Sequence, residues 1–292
     1  MAESKESNWL PLEPTIDAAL KQCSNPIDEL AQGRVPAILI RGAYPKEDGE
    51  RLIQQFYDQD LVPGLPQPGE RIEGKGSFER RDIGTSLGNL GSNPDDFFAS
   101  AQRTLRQFDR LFDGLTNPVQ TMYQAIEALS GGKSVITACE PDGRTYGPAI
   151  FRCHMPHWGY PPHIDSVRKR EERTGYAVHR FQHQLAGVLM LQPAENRVFD
   201  SILYHCDWDK DKHERLEIGK AEREGIDPSG FQAYVEQAGI DKYHVTLNPG
   251  DLYLFNAELV HEAPLFTGHR PRMVMATFFG YSPDDHQIMV WS

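Results

Sequence analysis

The chain has 292 residues, 39% of them apolar, which can fill the core of one large domain or two modest ones. We expect one domain over residues 1–292. The formal net charge of −12 argues against binding to nucleic acid or to an acidic membrane surface, because both are bound through clustered Lys and Arg. We therefore expect a small-molecule substrate, no nucleic acid and no membrane, and leave the oligomeric state open.

The cysteines and the first residues predict a cytoplasmic protein. Cys23, Cys139, Cys153 and Cys206 are widely spaced without a C-x-x-C pair, which indicates neither a disulfide framework nor a zinc knuckle. The first residues lack an apolar leader stretch, and no apolar run is long enough to span a membrane. We expect a soluble, unprocessed protein in a reducing cytosol.

Residues 1–134 are predicted to form helices and loops that support the rest of the chain. An apolar run at 35–41 predicts a buried strand, and Pro45 then opens a helix. Residues 60–93 are rich in Gly and Pro and predict a long loop, which could form part of a pocket rim. Further on, Asn-Pro pairs at 93–94 and 117–118 predict the starts of two more helices.

Residues 135–292 are predicted to be mostly strand. A charged segment at about 207–238 interrupts the strands and predicts two short helices, which are either a solvated surface pair or a lid over the substrate. This order predicts a mostly β protein with flanking helices, whose core is a double-stranded β-helix (jelly roll, cupin-like) braced by N-terminal helices. The predicted strands have period-two patterns or short apolar runs: 149–153, 185–191, 201–204, 243–247, 252–255 and 273–279.

His163-Ile164-Asp165 and the distant His261 predict a metal site. Two imidazoles and one carboxylate hold iron(II) on one face and leave other positions open for a co-substrate and O₂. Residues i and i+2 of a strand face the same side, so His163 and Asp165 can both project into a barrel. His261 is predicted at the start of a later strand. A second H-x-D, His205-Cys206-Asp207, is the alternative, but it leads into the charged insertion and lacks a matching downstream arginine.

Arg272 is the candidate anchor for a co-substrate. It opens an apolar strand, so its guanidinium is predicted to be partly buried and to need an anion. An arginine offers a bidentate partner for a free carboxylate, as an iron oxygenase that uses 2-oxoglutarate requires. The alternatives are a surface charge or a salt bridge with one of the 42 acidic residues.

At these residues the chain resembles the iron(II)- and 2-oxoglutarate-dependent oxygenases, and more narrowly the freestanding halogenases that chlorinate indole alkaloids. The resemblance implies a jelly-roll core, iron ligation by His163 and His261, and 2-oxoglutarate held by Arg272. It is carried by Ala37-Ile38-Leu39-Ile40-Arg41-Gly42, Gly143-Arg144-Thr145-Tyr146-Gly147-Pro148-Ala149, Arg152, Asn248-Pro249-Gly250-Asp251, Pro271-Arg272 and Trp291-Ser292.

Two departures from the resembled proteins matter. Those halogenases have a small residue where this chain has Asp165, and chloride binds iron in the gap, so a carboxylate here implies hydroxylation, with desaturation or ring formation as related outcomes. Val274 stands where many members of the wider superfamily have a Ser or Thr that shares the carboxylate. A second donor must then come from elsewhere. Arg152 is a candidate, and a structural ion pair is its alternative.

The sequence therefore predicts a dioxygenase that uses iron(II), 2-oxoglutarate and O₂ to oxidise a C–H bond of a free small molecule in natural-product or amino-acid-derivative metabolism. Phe151, Trp158 and Tyr160 could line an apolar pocket, although ordinary core packing explains them equally well. Two alternatives stay open: a cupin-like isomerase or dioxygenase that does not use 2-oxoglutarate, and a non-catalytic jelly-roll binding protein. The sequence does not identify the substrate.

Overall fold

The computed structural model of the protein describes residues 9–62, 80–208 and 229–292. Six helices of the described ranges precede most of the strands, and one follows in the C-terminal half. None of the described helices is both long and apolar enough to cross a membrane. The helices are α1 (Ile16–Gln22), α2 (Pro26–Ala31), α3 (Lys46–Asp58), α4 (Leu87–Leu90), α5 (Pro94–Leu111), α6 (Pro118–Leu129) and α7 (Ser229–Ala238).

Helices α5 and α6 begin where the Asn-Pro pairs predict. The side chains of Asn93 and Asn117 accept hydrogen bonds from backbone N–H groups of the first turn, and the following proline needs no donor partner at that position. Helix α3 likewise begins directly after Pro45. The predicted helix starts are therefore confirmed, and at α5 and α6 a local capping hydrogen bond accounts for them.

Within the described ranges twelve strands form two sheets, and all strand pairs there except β12 with β3 are antiparallel. The larger sheet has the order β1-β9-β6-β11-β12-β3, with β4 also paired to β11 and β2 paired to β4. The smaller sheet has the order β5-β10-β7-β8. The strands are β1 (Ala37–Ile40), β2 (Arg80–Gly84), β3 (Ser134–Thr137), β4 (Ile150–His154), β5 (Tyr160–His163), β6 (His183–Gln192), β7 (Ser201–Asp207), β8 (Lys242–Val245), β9 (Leu252–Asn256), β10 (Leu259–Ala263), β11 (Arg272–Tyr281) and β12 (Gln287–Trp291).

The two sheets form the predicted jelly-roll core, with apolar layers on both faces of the larger sheet. One layer lies between the sheets and includes Val188, Leu203 and Phe255. The other lies between the larger sheet and the N-terminal helices and includes Phe56 and Met275. The fold is thus mostly β with flanking helices, as the sequence predicts, because the strands of the larger sheet bury both faces.

Two sequence blocks that carry the family resemblance meet at the edge of this sheet. The buried carboxylate of Asp251 accepts hydrogen bonds from the backbone N–H of Gly42, from Arg41 and from the backbone N–H of Asn248. Gly250 has φ +90°, and a Cβ on it would lie 2.3 Å from the carbonyl oxygen of Tyr44. Glycine is therefore required at position 250. The hydrogen bonds of Asp251 hold the end of β1 against the start of β9.

The prediction of one loop over residues 60–93 is wrong for its second part. Residues 80–84 form β2, which pairs with β4, and residues 87–90 form α4. The strand went unrecognised because three of its five residues are charged, and charge is normally read as solvent exposure. In the structure Arg80 and Asp82 form an ion pair at 2.9 Å. Residues 63–79 lie outside the described ranges.

All six strands predicted for the C-terminal half by period-two patterns or apolar runs are present, together with strands that those patterns did not reveal. Strands β3 and β12 were not predicted, and His261 lies in the middle of β10 rather than at its start. Strands β1 and β2 precede residue 134 and join the larger sheet. The division into an N-terminal support and a C-terminal core remains a prediction.

The predicted insertion is described only in part. Residues 209–228 lie outside the described ranges. Helix α7 packs on the outer face of the smaller sheet, where Phe231 and Val235 contact Ile164 and Val260 in a buried apolar cluster. The lid remains a prediction, because the residues that would form its tip are not described.

Candidate functional site

A cavity between the two sheets contains the side chains that the sequence singles out. The smaller sheet contributes His163 and His261, and the larger sheet contributes Arg152 and Arg272. Asp165 also lines it, from the segment after β5. The cavity is thus bounded by potential metal ligands on one side and by cations on the other.

His163, Asp165 and His261 converge although 96 positions separate Asp165 from His261. His163 and His261 are directly opposite in the β5–β10 pair, and their ring centroids are 4.3 Å apart. One carboxylate oxygen of Asp165, Oδ2, lies 3.5 Å from His261 Nε2 and 3.8 Å from His163 Nε2. Their candidate ligand atoms all lie within 4.8 Å of one another, so that the three residues could hold one metal ion.

The backbone orients both imidazoles toward this point. His163 Nδ1 lies 2.7 Å from the carbonyl oxygen of Pro161, and His261 Nδ1 lies 2.9 Å from that of Leu259. A carbonyl only accepts, so Nδ1 carries the proton in each ring and the Nε2 lone pair is free for a metal.

The predicted placement of Asp165 on the strand is wrong, because β5 ends at His163. Its backbone N–H donates to the carbonyl oxygen of Ala257 at 2.8 Å, and its Oδ1 lies 3.4 Å from Arg170 Nη1. The carboxylate thus reaches the histidines from a loop and not from a strand. The contacts with Ala257 and Arg170 hold it there.

The protonation states in this cluster suit metal binding. Burial, and then the neighbouring His261, lower the pKa of His163 to about 3, so the ring is neutral near pH 7. Burial alone would raise the pKa of Asp165, but the neighbouring His261 and the cation of Arg170 hold that pKa below its ordinary value. Neutral imidazole and ionised carboxylate are the forms that bind metals.

A second cluster, Arg152, His154 and Arg272, faces the cavity from the larger sheet. In the β4–β11 pair Arg272 is opposite His154, and Val274 is opposite Arg152. Arg272 Nη1 lies 3.1 Å from His154 Nδ1. Within the described ranges no group accepts a hydrogen bond from Arg152 Nε or Arg272 Nε, and His154 Nε2 has no partner. Such unpartnered donors are costly when buried and indicate a place for a polar ligand.

The prediction that Arg272 is buried is confirmed, since only 7% of the residue is exposed. The nearest carboxylate is that of Asp200, whose Oδ1 lies 3.9 Å from Arg272 Nε, too far for a hydrogen bond. Oδ2 of Asp200 is occupied by Arg197 and by the backbone N–H of Leu247. The charge of Arg272 is thus only partly balanced by the described part of the chain.

The candidate pocket aromatics divide between cavity and core. Tyr160 lines the cavity, and Trp158 packs on the ring of His154 with centroids 4.5 Å apart. Phe151 lies instead in the core between the larger sheet and the helices, near Phe56, so of its two predicted roles core packing is the one observed. It alternates with the cavity-facing Arg152 along β4, and neighbouring residues of a strand face opposite sides.

The alternative H-x-D motif lies elsewhere. His205 is exposed on β7 and stacks on Trp9 with ring centroids 4.8 Å apart. It contributes to no group of potential metal ligands among the residues for which a placement is given. The residue that the sequence reasoning missed is His154. Its signal was present, since it stands two positions after Arg152 and therefore faces the same side of β4.

Comparisons with known proteins place this site in a family. No curated protein matches the chain by sequence. A crystal structure of an N-substituted L-amino acid dioxygenase from Burkholderia ambifaria AMMD is 18% identical, with 91% of this chain and 90% of that chain covered and a TM-score of 0.55. The same dioxygenase in complex with α-ketoglutarate gives 19% identity, the same coverage and a TM-score of 0.53. At such identities the likeness shows a shared fold.

The family model described as "Carrier-protein-independent halogenase WelO5" matches residues 7–292. This match covers nearly the whole chain, including both clusters of the cavity. The chain belongs to the carrier-protein-independent halogenase WelO5 family.

Proposed function

We propose that the protein is an iron(II)- and 2-oxoglutarate-dependent dioxygenase that hydroxylates a C–H bond of a free small molecule. The observation that carries this proposal is the pairing of two clusters across one cavity, with potential metal ligands on one side and, on the larger sheet, two arginines whose Nε atoms have no hydrogen-bond partner in the described ranges. The family match and the fold shared with a dioxygenase crystallised with α-ketoglutarate support it.

His163, Asp165 and His261 would hold the iron. Two imidazoles and one carboxylate are the donor set of non-haem iron(II) oxygenases, and the three ligand atoms lie close enough to share one ion. Bound there, iron(II) with 2-oxoglutarate would supply the oxidising chemistry, in which O₂ is consumed and the 2-oxo acid is converted to succinate and CO₂. Among the described residues these three side chains form the candidate ligand group, and they line the cavity that the substrate would enter.

Arg272 would bind the far carboxylate of 2-oxoglutarate, with Arg152 as a second donor. A fork of N–H groups matches a carboxylate, and a buried cation gains most from an anionic ligand. Arg152 stands directly opposite Val274, the position from which a hydroxyl donor is missing. A structural ion pair, the alternative role for Arg152, is not found among the residues that the structure describes.

Asp165 decides the proposed reaction type. The resembled halogenases have a small residue at this position, and chloride takes the place of the carboxylate. Here Asp165 Oδ2 lies beside both histidine Nε2 atoms, so the position is filled by the protein. Oxygen transfer to the substrate is therefore proposed rather than chlorination, although the family is named for halogenases.

The substrate is proposed to be a small molecule of natural-product or amino-acid-derivative metabolism, handled in the cytoplasm. Apolar side chains such as Val188, Ala276 and Phe278 line the cavity beside the polar clusters, and pockets of this mixed kind suit small organic ligands. All four cysteines are free, which is compatible with a reducing compartment.

The test is anaerobic addition of iron(II) and 2-oxoglutarate to the purified protein. A weak visible charge-transfer band of the chelate is expected, followed by succinate formation when O₂ is admitted. An iron-loaded, folded protein without this band would reject the co-substrate and favour the cupin-like alternative. A protein that binds no iron would favour a non-catalytic binding role.

A further inference from the structure

We propose that His154 is a positioning residue that orients the guanidinium of Arg272 toward the far carboxylate of a dicarboxylic 2-oxo acid. It thereby sets the preference of the site for 2-oxoglutarate over 2-oxo acids that lack this carboxylate. The inference rests on the proposed function, because it concerns the same cavity.

The contact between the two residues has a defined direction. Arg272 and His154 are cross-strand partners in the β4–β11 pair, and Arg272 Nη1 lies 3.1 Å from His154 Nδ1. A guanidinium can only donate, so Nδ1 accepts the hydrogen bond and the neutral ring carries its proton on Nε2. Both residues are almost fully buried, with 4% of His154 and 7% of Arg272 exposed. Water is therefore a poor substitute for either partner.

A neutral acceptor has an advantage that a carboxylate would lack at this position. Hydrogen bonding to His154 restrains the guanidinium but leaves its positive charge available to a ligand. Asp200 is the nearest carboxylate, and its Oδ1 is 3.9 Å from Arg272 Nε and has no hydrogen-bond partner in the described ranges. Without His154, Arg272 could turn toward Asp200 and form a buried ion pair, which would leave it poorly placed for a ligand.

The imidazole of His154 is itself held in place by packing. Its ring lies 4.5 Å from that of Trp158 and 5.9 Å from that of Tyr160, measured between centroids. A rigid acceptor reduces the number of orientations open to the arginine before the ligand arrives. Pre-organisation of this kind raises affinity because less side-chain freedom is lost on binding.

The experiment compares two ligands on the anaerobic iron(II)-loaded protein. Dissociation constants for 2-oxoglutarate and for 2-oxopentanoate, which has the same chain length without the far carboxylate, are measured by calorimetry and by the visible band of the chelate. In His154→Phe the affinity for 2-oxoglutarate is expected to fall about 10-fold, while that for 2-oxopentanoate stays within about 2-fold of wild type. His154→Gln retains an acceptor and should recover most of the lost affinity.

Two further variants control for folding and charge. His244→Phe makes the same substitution at a half-buried histidine on β8 that stacks on Phe199, and it should leave both constants unchanged. His154→Glu keeps an acceptor beside Arg272 but neutralises its charge, so it should also lose the preference for 2-oxoglutarate. It provides the test if His154→Phe does not fold.

If His154→Phe lowered the affinity for both ligands equally, His154 would have a general structural role and the proposal would be overturned. A wild-type preference in His154→Phe or His154→Glu would overturn it as well. Failure of the proposed function looks different, because the wild-type protein would then show no chelate band and no preference for 2-oxoglutarate.

Discussion

The two sides of the cavity both contain buried histidines, but these histidines make opposite kinds of hydrogen bond. On the smaller sheet, His163 and His261 each use Nδ1 for a backbone carbonyl and present Nε2 to the cavity as an acceptor. On the larger sheet, His154 uses Nδ1 to accept from Arg272, so that its remaining nitrogen is a donor. The same side chain is thus prepared for a cation on one sheet and placed among cations on the other.

This contrast teaches that the hydrogen bond made by one nitrogen of a buried histidine determines what the other nitrogen can do. The histidine pair of the smaller sheet lies beside the carboxylate of Asp165. His154 lies beside Arg272, and Arg152 and Arg80 also act to lower its pKa. Each side is therefore electrostatically incomplete without a ligand of the opposite charge, and four predictions test this division.

The largest effect is expected from removal of a metal ligand on the smaller sheet. His163→Ala and His261→Ala should each weaken iron(II) binding by more than about 100-fold, since loss of a direct ligand should exceed the loss known for outer-shell partners. Metal titration under anaerobic conditions measures this. His205→Ala, in the other H-x-D motif, should bind iron like the wild type. Equal loss in His205→Ala would contradict the assignment of the site.

Asp165→Gly should change the response of the site to chloride. Removal of the carboxylate opens the position that chloride occupies in the resembled halogenases, so chloride should shift the visible band of the iron(II)–2-oxoglutarate chelate in this variant. The wild-type band should be insensitive to chloride, because Asp165 fills that position. Absorption spectra with and without chloride make the comparison. A chloride-dependent wild-type band would argue against the proposed reaction type.

Substitutions on the larger sheet should weaken the binding of 2-oxoglutarate but leave the binding of iron(II) unchanged. Arg272→Gln should raise the dissociation constant of 2-oxoglutarate about 10- to 100-fold, as expected for loss of a charged hydrogen bond, and Arg152→Gln should raise it less. Iron affinity in the absence of 2-oxoglutarate should stay close to wild type in both. Calorimetry of each ligand separates the two effects. Lost iron binding in Arg272→Gln would mean that the two sides are not independent.

The last prediction concerns the stability of the metal-free protein at mildly acidic pH. Burial lowers the pKa of His163 to about 3, and burial followed by the charge of Arg272 also lowers that of His154. The unfolded chain then binds more protons than the folded one below pH 6.5, so stability should fall as the pH falls from there, by up to about 1.4 kcal/mol per pH unit for each histidine. Asp165 adds its own loss only below its ordinary value of 3.8.

Urea unfolding at several pH values between about 7.5 and 5 tests this dependence. His154→Gln should unfold with a shallower pH dependence, because one buried histidine is removed. An unchanged slope would show that His154 is protonated in the folded protein or titrates alike in both states.

The positions of helix starts and of most core strands followed from local patterns. Asn93 and Asn117 cap their own helices, and the apolar runs around 185–191 and 273–279 reflect burial on both faces of the larger sheet. Strand β2 escaped prediction because three of its five residues are charged, and only its pairing with β4 makes it part of the sheet. The position of Phe151 stayed open between core and cavity because its apolar character fits both equally well.

The residue types of the metal cluster could be named from the sequence, because few combinations of histidine and carboxylate are joined to a distant arginine that opens an apolar strand. The backbone position from which Asp165 reaches the histidines could not be predicted, since it depends on a loop whose backbone is hydrogen-bonded to Ala257. The hydrogen bond between Arg272 and His154 could not be predicted either, because the two residues are 118 positions apart. Cross-strand register determines which side chains become neighbours, and register is settled only when the sheets pack together and bury their faces.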